Sequence, residues 1–415
     1  MALLEAVRVP REIASGRRAS GTGRHGAGFW AVAVAFAVAM AFSTVPAPLF
    51  PLYTARDGFS TFTVTAVFAA YAVGVVVSLL LAGHVSDRLG RKRILIPALG
   101  LEVVAALLFL TGTSLPLLLA ARFITGLGVG MITATATAHL HELHAAHRPG
   151  ASGTRFEVVS TAANIGGLGL GTLVAGFLAE FVTAPLRTPY AIFLLLLVAA
   201  IAAVAVSPET VRRAGAYRYR PQRVSIGRGP AYPAAATGAF AAFSVFGFFT
   251  SVAPGFVAGT LQHPSRFLAG LIVFAVFGAS AAAQTLTTRW TARSRTVSGL
   301  TAQAAGLLTL VTGMHVASLP VFLSGGMLAG IGAGVLFKAS LGTVAAHATP
   351  ADRGAALAGL FLIAYVALAV SALAIGMASR FAGVVTVMTW FAAALLALLT
   401  VVALLSHRSR RPPQP

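Results

Sequence analysis

The sequence has no cysteine and few charges: only 10% of its 415 residues are Asp, Glu, Lys or Arg, and just 10 residues are acidic. Without cysteine there is no disulfide framework and no thiolate for metal or redox chemistry. A soluble chain carries about 25% charged residues. This chain cannot cover itself with a water-facing surface, and its 57% apolar content makes lipid the expected solvent. In lipid every backbone N–H and C=O must be satisfied internally, which leaves helical bundles or closed barrels. Period-two alternation is also missing. Unbroken apolar runs of about 20 residues stand in its place and select membrane-crossing helices.

A nucleotide-binding loop is missing too. GLGVG (126–130) and GLGLG (167–171) lie inside apolar runs, follow no strand and do not end in Gly-Lys-Ser/Thr. No ATP site is visible, so any work done draws on a gradient. An enzyme would need acids, His or Ser clustered at one membrane face. Only HLHELHAAH, with His139, His141, His144 and His147, approaches this, and Glu142 is the one carboxylate beside them. These residues are read as interfacial rather than as a metal site, and no metal, cofactor or catalytic residue is expected.

Twelve apolar segments are present: 28–49, 61–83, 94–113, 116–138, 157–181, 188–206, 233–257, 267–288, 298–317, 319–343, 354–378 and 382–405. The first is too long for a signal peptide's apolar core, so the basic tail 1–27 is read as retained. An even number of spans puts both ends on one side. With that side taken as cytoplasmic, 24 Lys and Arg lie inside and only Arg56, Arg187, Arg266 and Arg380 outside. This asymmetry is the positive-inside rule. It predicts a multi-pass protein of the cell membrane with both termini cytoplasmic, and it accounts for the net charge of +20 without a nucleic-acid partner. Contact of the basic loops with anionic headgroups is generic.

The longest cytoplasmic stretch, 207–232, is rich in Pro, Gly and Arg and divides the chain. The expected organisation is a tail (1–27), a first bundle (28–206), a linker (207–232), a second bundle (233–405) and a C-terminal tail (406–415). SLPLLLAARFITGLGVGMI (114–132) aligns without gaps to SLPVFLSGGMLAGIGAGVL (318–336), an offset of 204 residues. Helix four is then the counterpart of helix ten, and the two halves share one orientation. Gly126/Gly130, Gly167/Gly171 and Gly326/Gly330/Gly334 make smooth stripes for close helix packing.

Ionisable groups at membrane depth are costly and therefore functional candidates. Glu102, Arg122 and Lys338 qualify. Glu102 precedes Ser114 by twelve residues and Arg122 follows it by eight, a depth difference of about 6 Å that permits a Glu102–Arg122 pair. Glu102 is the first carboxylate to test for proton coupling, whereas Lys338 suits snorkelling toward the cytoplasmic end. Asn164, Gln284, Tyr71 and Tyr365 add uncharged polar groups. Phe240, Phe243, Phe246, Phe248, Phe249 and Phe256 crowd helix seven. Aromatic walls with few charges suit a small amphipathic organic molecule.

GHVSDRLGRKR (83–93) concentrates charge between two apolar runs. Gly90 permits a left-handed turn, and Arg91, Lys92 and Arg93 hold the loop inside. Gly83-His84-Val85-Ser86-Asp87-Arg88-Leu89-Gly90-Arg91-Lys92 resembles the signature loop of the major facilitator superfamily, with Val85 and Ser86 in place of Leu and Ala. Arg122 with Gly126 resembles the family's helix-four motif, and Pro208-Glu209-Thr210 is similar to a family sequence after helix six. Gly167 to Gly176 resembles the antiporter motif of helix five, except that Thr172 stands where the pattern has Pro and Ala175 where it has Gly.

The resemblance covers about 28–405. It implies an all-α membrane protein of twelve helices in two pseudo-symmetric six-helix bundles, working as a monomer by alternating access. It also implies that helices one, four, seven and ten line the cavity, which puts Arg122 and Lys338 on lining helices and Glu102 on a peripheral one. Asp87 is expected to latch the cytoplasmic gate against the start of helix eleven and Arg353. The favoured function is proton-coupled efflux of a small amphipathic molecule. The alternatives are uptake or uniport of a sugar or metabolite, or a sensor, which would be expected to bring an appended soluble domain.

Overall fold

Every long apolar run forms a helix, because a buried backbone in lipid has no other way to satisfy its polar groups one segment at a time. In the computed structural model these helices are α1 (Gly23–Asp57), α2 (Thr61–Ala82), α3 (Arg91–Thr111), α4 (Leu115–His147), α5 (Thr154–Phe181), α6 (Thr188–Val206), α7 (Ala231–Ser251), α8 (Arg266–Leu286), α9 (Ala292–His315), α10 (Leu319–His347), α11 (Arg353–Ala378) and α12 (Val384–Arg408). The structure describes residues 11–82, 85–211, 224, 229, 231–349 and 352–408, without the side chains of 11–22. Gly83, and most of the linker 207–232, lie outside the described residues.

The buried residues form two apolar clusters. One is built mainly from α1–α6 and the other from α7–α12, so the chain is two six-helix bundles. The repeat seen in the sequence has a local structural match. Ser114 and Ser318 both precede their helix in extended conformation, and Pro116 and Pro320 both occupy its first turn, where a missing N–H is harmless. The glycine stripes pack as expected. Gly126 abuts Gly74 and Tyr71 on α2, Gly171 abuts Ala41 on α1, and Gly334 abuts Ser280 on α8.

The bundles meet along two seams, α2 with α11 and α5 with α8. The loop after α2 and the end of α5 lie on opposite faces, named here the Asp87 face and the Glu180 face. At the Glu180 face the seams are tight. A Cβ built on Gly176 would lie 3.2 Å from the Gly270 Cα, and one on Gly376 would lie 3.1 Å from the Phe62 Cα. The Arg266 backbone N–H donates to Glu180 Oε2 at 2.7 Å, its Nη1 donates to the Ala179 carbonyl at 3.0 Å, and Thr172 Oγ1 donates to the Gly270 carbonyl at 3.0 Å. Thr172, the departure from the antiporter pattern, therefore supplies a bond between the bundles. The end of α1 also touches the short helix Ala253–Gly259 that follows α7. The Glu180 face is thus closed in this conformer.

Candidate functional site

Pro46 and Pro48 interrupt α1. Its regular part ends at Thr44 and the chain continues as a 3-10 turn, Ala47–Leu49, because proline removes the N–H the helix needs. The Ser43 carbonyl at this break accepts a bond from Arg122 Nη1 at 2.6 Å. The Arg122 guanidinium carbon also lies 4.5 Å from the centre of the Tyr71 ring. On α5, residues Ala162–Gly166 form a π-helical turn that carries Asn164; such wide turns recur at functional positions. These two irregularities border the cavity between the bundles.

The cavity is lined from the first bundle by Ser43, Thr44, Phe68, Tyr71, Arg122, Thr133 and Asn164. The second bundle contributes Phe243, Phe246, Thr250, Phe277, Phe337, Phe361 and Tyr365. Arg122 is the one charged residue on this wall. Helices two, five, eight and eleven thus share the lining with one, four, seven and ten. Of the predicted site residues, the cavity collects Arg122, Asn164, Tyr71 and Tyr365. It leaves out Glu102, Gln284 and Lys338. Among the helix-seven phenylalanines only Phe243 and Phe246 line it; Phe249 packs on Phe322, and Phe248 on Phe391, within the second bundle.

The Glu102–Arg122 pair is not formed. Glu102 is fully buried between α3 and α4, with a carboxylate oxygen 2.5 Å from where a Gly128 Cβ would lie, and neither of its oxygens has a hydrogen-bond partner. Gly128 is six residues beyond Arg122 on α4, about 9 Å along the axis, so the true offset exceeds the expected one. Lys338 is not a free snorkelling cation. Its Nζ donates to the Gln284 carbonyl and to Thr288 Oγ1, both at 2.7 Å, and lies 3.8 Å from Glu157 on the other bundle.

A second constellation occupies the Asp87 face. Gly90 turns the loop with φ +110°, as its position predicted. Arg91 is buried and binds Glu142 through two nitrogens, at 2.6 and 3.2 Å, and also Asp87 at 2.5 Å and Ser86 Oγ at 2.8 Å. Asp87 thus pairs within its own bundle in this conformer, and no ion pair among the described residues joins it to Arg353. Lys92 Nζ reaches the carbonyls of Ala205 and Ser207 at 2.5 and 2.9 Å. Arg91 and Lys92 are therefore engaged by protein acceptors and do more than set topology.

Pro208-Glu209-Thr210 closes this network. Glu209 accepts from the backbone N–H of Arg91 and Lys92, both at 3.0 Å. Thr210 Oγ1 donates to Glu142 at 2.5 Å, and the buried His139 ring meets the Pro208 carbonyl at 3.0 Å. Partial burial opposes ionisation of Glu209, but the backbone N–H groups of Val211, Arg91, Lys92 and Thr210 outweigh it and hold the carboxyl below its usual range. A depressed folded-state value means this contribution is present above the ordinary carboxylate pKa, about 4.3, and fades as pH falls through the folded value. Glu209 is exposed, so water screens these bonds, and Glu209→Gln should lower stability by at most about 1 kcal/mol at pH 7. The gap from wild type should vanish in acid. Melting temperatures of both proteins from pH 7 downward test this; a gap that persists in acid would reject it.

The comparisons with known proteins agree with this architecture. A 146-residue stretch is 35% identical to the MFS-type transporter Rv1250 of Mycobacterium tuberculosis, and covers 35% of this chain and 25% of that protein. A 75-residue stretch is 37% identical to the multidrug resistance protein MdtL of Escherichia coli, and covers 18% of this chain and 19% of that one. The chain thus matches a quarter or less of these relatives' lengths. The solved structure of the human organic anion transporter MFSD10 superposes with TM-score 0.66 at 18% identity, covering 91% of this chain and 99% of that one, a likeness of fold. The Major Facilitator Superfamily profile matches residues 32–254, more than half of the sequence, and with the two six-helix bundles around a shared cavity this places the chain in the Major Facilitator Superfamily.

Proposed function

We propose that this transporter exports a small amphipathic organic molecule by alternating access, in exchange for protons, with the Asp87 face toward the cytoplasm. The observation that carries the reading is the cavity between the bundles, aromatic-walled and closed at the Glu180 face. The distribution of Lys and Arg supports the orientation. The local likeness to MdtL, named for multidrug resistance, supports export. Glu102 suits the proton-binding role because it is a buried carboxyl at membrane depth with no protein hydrogen-bond partner.

In the opposite conformer the Asp87 face closes. Asp87 then leaves its exposed position beside Arg91 and meets the start of α11 near Arg353, completing a gate with Gly90, Arg88 and Lys92. Asp87→Asn is expected to slow transport several-fold while leaving insertion and melting temperature unchanged; equal rates in proteoliposomes would remove Asp87 from the gate. The direct test of coupling is substrate-induced proton flux in proteoliposomes across a compound panel. Glu102→Gln should lose proton movement. Transport without proton movement in the wild type would identify a uniporter instead.

A further inference from the structure

The charge of the cargo follows from what surrounds Arg122. Its side chain is 2% exposed, and a guanidinium carries five N–H donors. One acceptor is in place, the Ser43 carbonyl, and Nε has none. The ion pairs of the described residues are Arg56–Asp57, Arg91–Asp87, Arg91–Glu142 and Lys338–Glu157, so no carboxylate stands within 4.0 Å of Arg122. Glu102, the acid nearest in depth, faces Gly128 instead. A buried cation lacking a counter-ion is costly until an anion reaches it.

The rest of the wall offers rings, aliphatic groups, hydroxyls and the Asn164 amide but no acid. The Tyr71 face, the natural seat for a cationic cargo, is already covered by Arg122 itself. A positively charged cargo would bring a second cation beside the first with nothing to neutralise either. A flat apolar body, in contrast, finds Phe243, Phe337 and Tyr365 grouped with ring centres 4.8 and 5.5 Å from Phe243.

We infer that the cargo is a lipophilic organic monoanion: a planar aromatic body bearing one carboxylate or sulfonate. Its paired oxygens take the free edge of the Arg122 fork, and its ring lies among Phe243, Phe337 and Tyr365. This rests on the transporter reading above and adds the charge class. In the present conformer the cavity volume is only about 80 Å³, so the anion enters as the bundles part.

The test is equilibrium binding to the purified protein in nanodiscs, with empty discs subtracted. The probes are naphthalene-2-sulfonate, its neutral sulfonamide and 2-naphthylmethylammonium. The sulfonate should bind at least tenfold tighter than the sulfonamide, and the ammonium weakest. Arg122→Gln should bring the sulfonate down to the level of the sulfonamide without weakening the latter, and Arg122→Lys should keep part of the preference. Equal binding of sulfonate and sulfonamide by the wild type, tighter binding of the ammonium, binding of none of the three, or a preference intact in Arg122→Gln would each overturn the inference. The wild-type comparison needs no variant to fold. Anion-selective binding without transport in proteoliposomes would defeat the transporter reading and spare this inference; transport of the ammonium probe would do the reverse.

Discussion

Gly126→Val should abolish recovery of monodisperse protein or lower its stability by about 3 kcal/mol, the upper end for overpacking. A Cβ at Gly126 would lie 2.9 Å from both the Gly74 Cα and the Val75 nitrogen, and closer still to the Tyr71 carbonyl oxygen. All three are backbone atoms, so no side chain can swing away and α2 and α4 must separate. That crossing also sets Tyr71 against Arg122, one turn away on α4. Gly100→Ala is the contrasting change. Nothing lies within 4 Å of its added Cβ, and alanine gains up to about 1 kcal/mol over glycine in a helix. Detergent-extracted yield, size-exclusion profile and melting temperature should move in opposite directions for the two variants. Equal behaviour would mean that α2 and α4 do not cross at glycine.

Arg91→Ala should cost about 2–4 kcal/mol and loosen the Glu142–Thr210 link to the segment after α6. Breaking a fully buried pair costs roughly 3–5 kcal/mol. The lower range reflects partners that keep some water, since the side chains of Asp87 and Glu142 are 62% and 31% exposed. Glu142 would be left with Thr210 alone, and Ser86 would lose its donor. Arg91→Lys should rescue little, because a point charge cannot replace a fork that serves Glu142 with two nitrogens and Asp87 with one. Melting temperature and protease sensitivity of the linker report on both variants. Full stability of Arg91→Lys would reduce the network to a surface charge cluster.

The spans were legible because length and mean hydropathy are properties summed along a helix. The azimuth was not, since it depends on which neighbour each face meets. Phe248, Phe249 and Phe256 look as suitable for a cavity wall as Phe243 and Phe246, yet the rotation of α7 turns Phe248 and Phe249 into the second bundle, and Phe256 lies beyond α7 on the short helix Ala253–Gly259, against Phe322. The same ambiguity hid the true partner of Glu102: the small residue Gly128 sets the register of α3 on α4 and carries the carboxyl past Arg122. Two signals could have been used. Pro46 and Pro48 mark the break that frees the Ser43 carbonyl, and the recurring glycines of α5 border the widened turn at Asn164. The partners of Arg91 had no local signal, because Glu142 and Glu209 are 51 and 118 residues away.

Sidedness of the cavity is the most direct test of the account. The chain lacks cysteine, so Thr133→Cys, on the cavity wall, gives a single reporter. Labelled in sealed vesicles with an impermeant maleimide, it should react when reagent is supplied at either face. Phe181 and Phe267 face each other across the Glu180 seam with ring centres 6.1 Å apart. Cysteines there, joined by a short bifunctional methanethiosulfonate before Thr133→Cys is probed, should confine the reaction to reagent supplied at the Asp87 face. Reaction from both faces with the seam crosslinked, or from one face only without any crosslink, would contradict a cavity that opens alternately to the two sides.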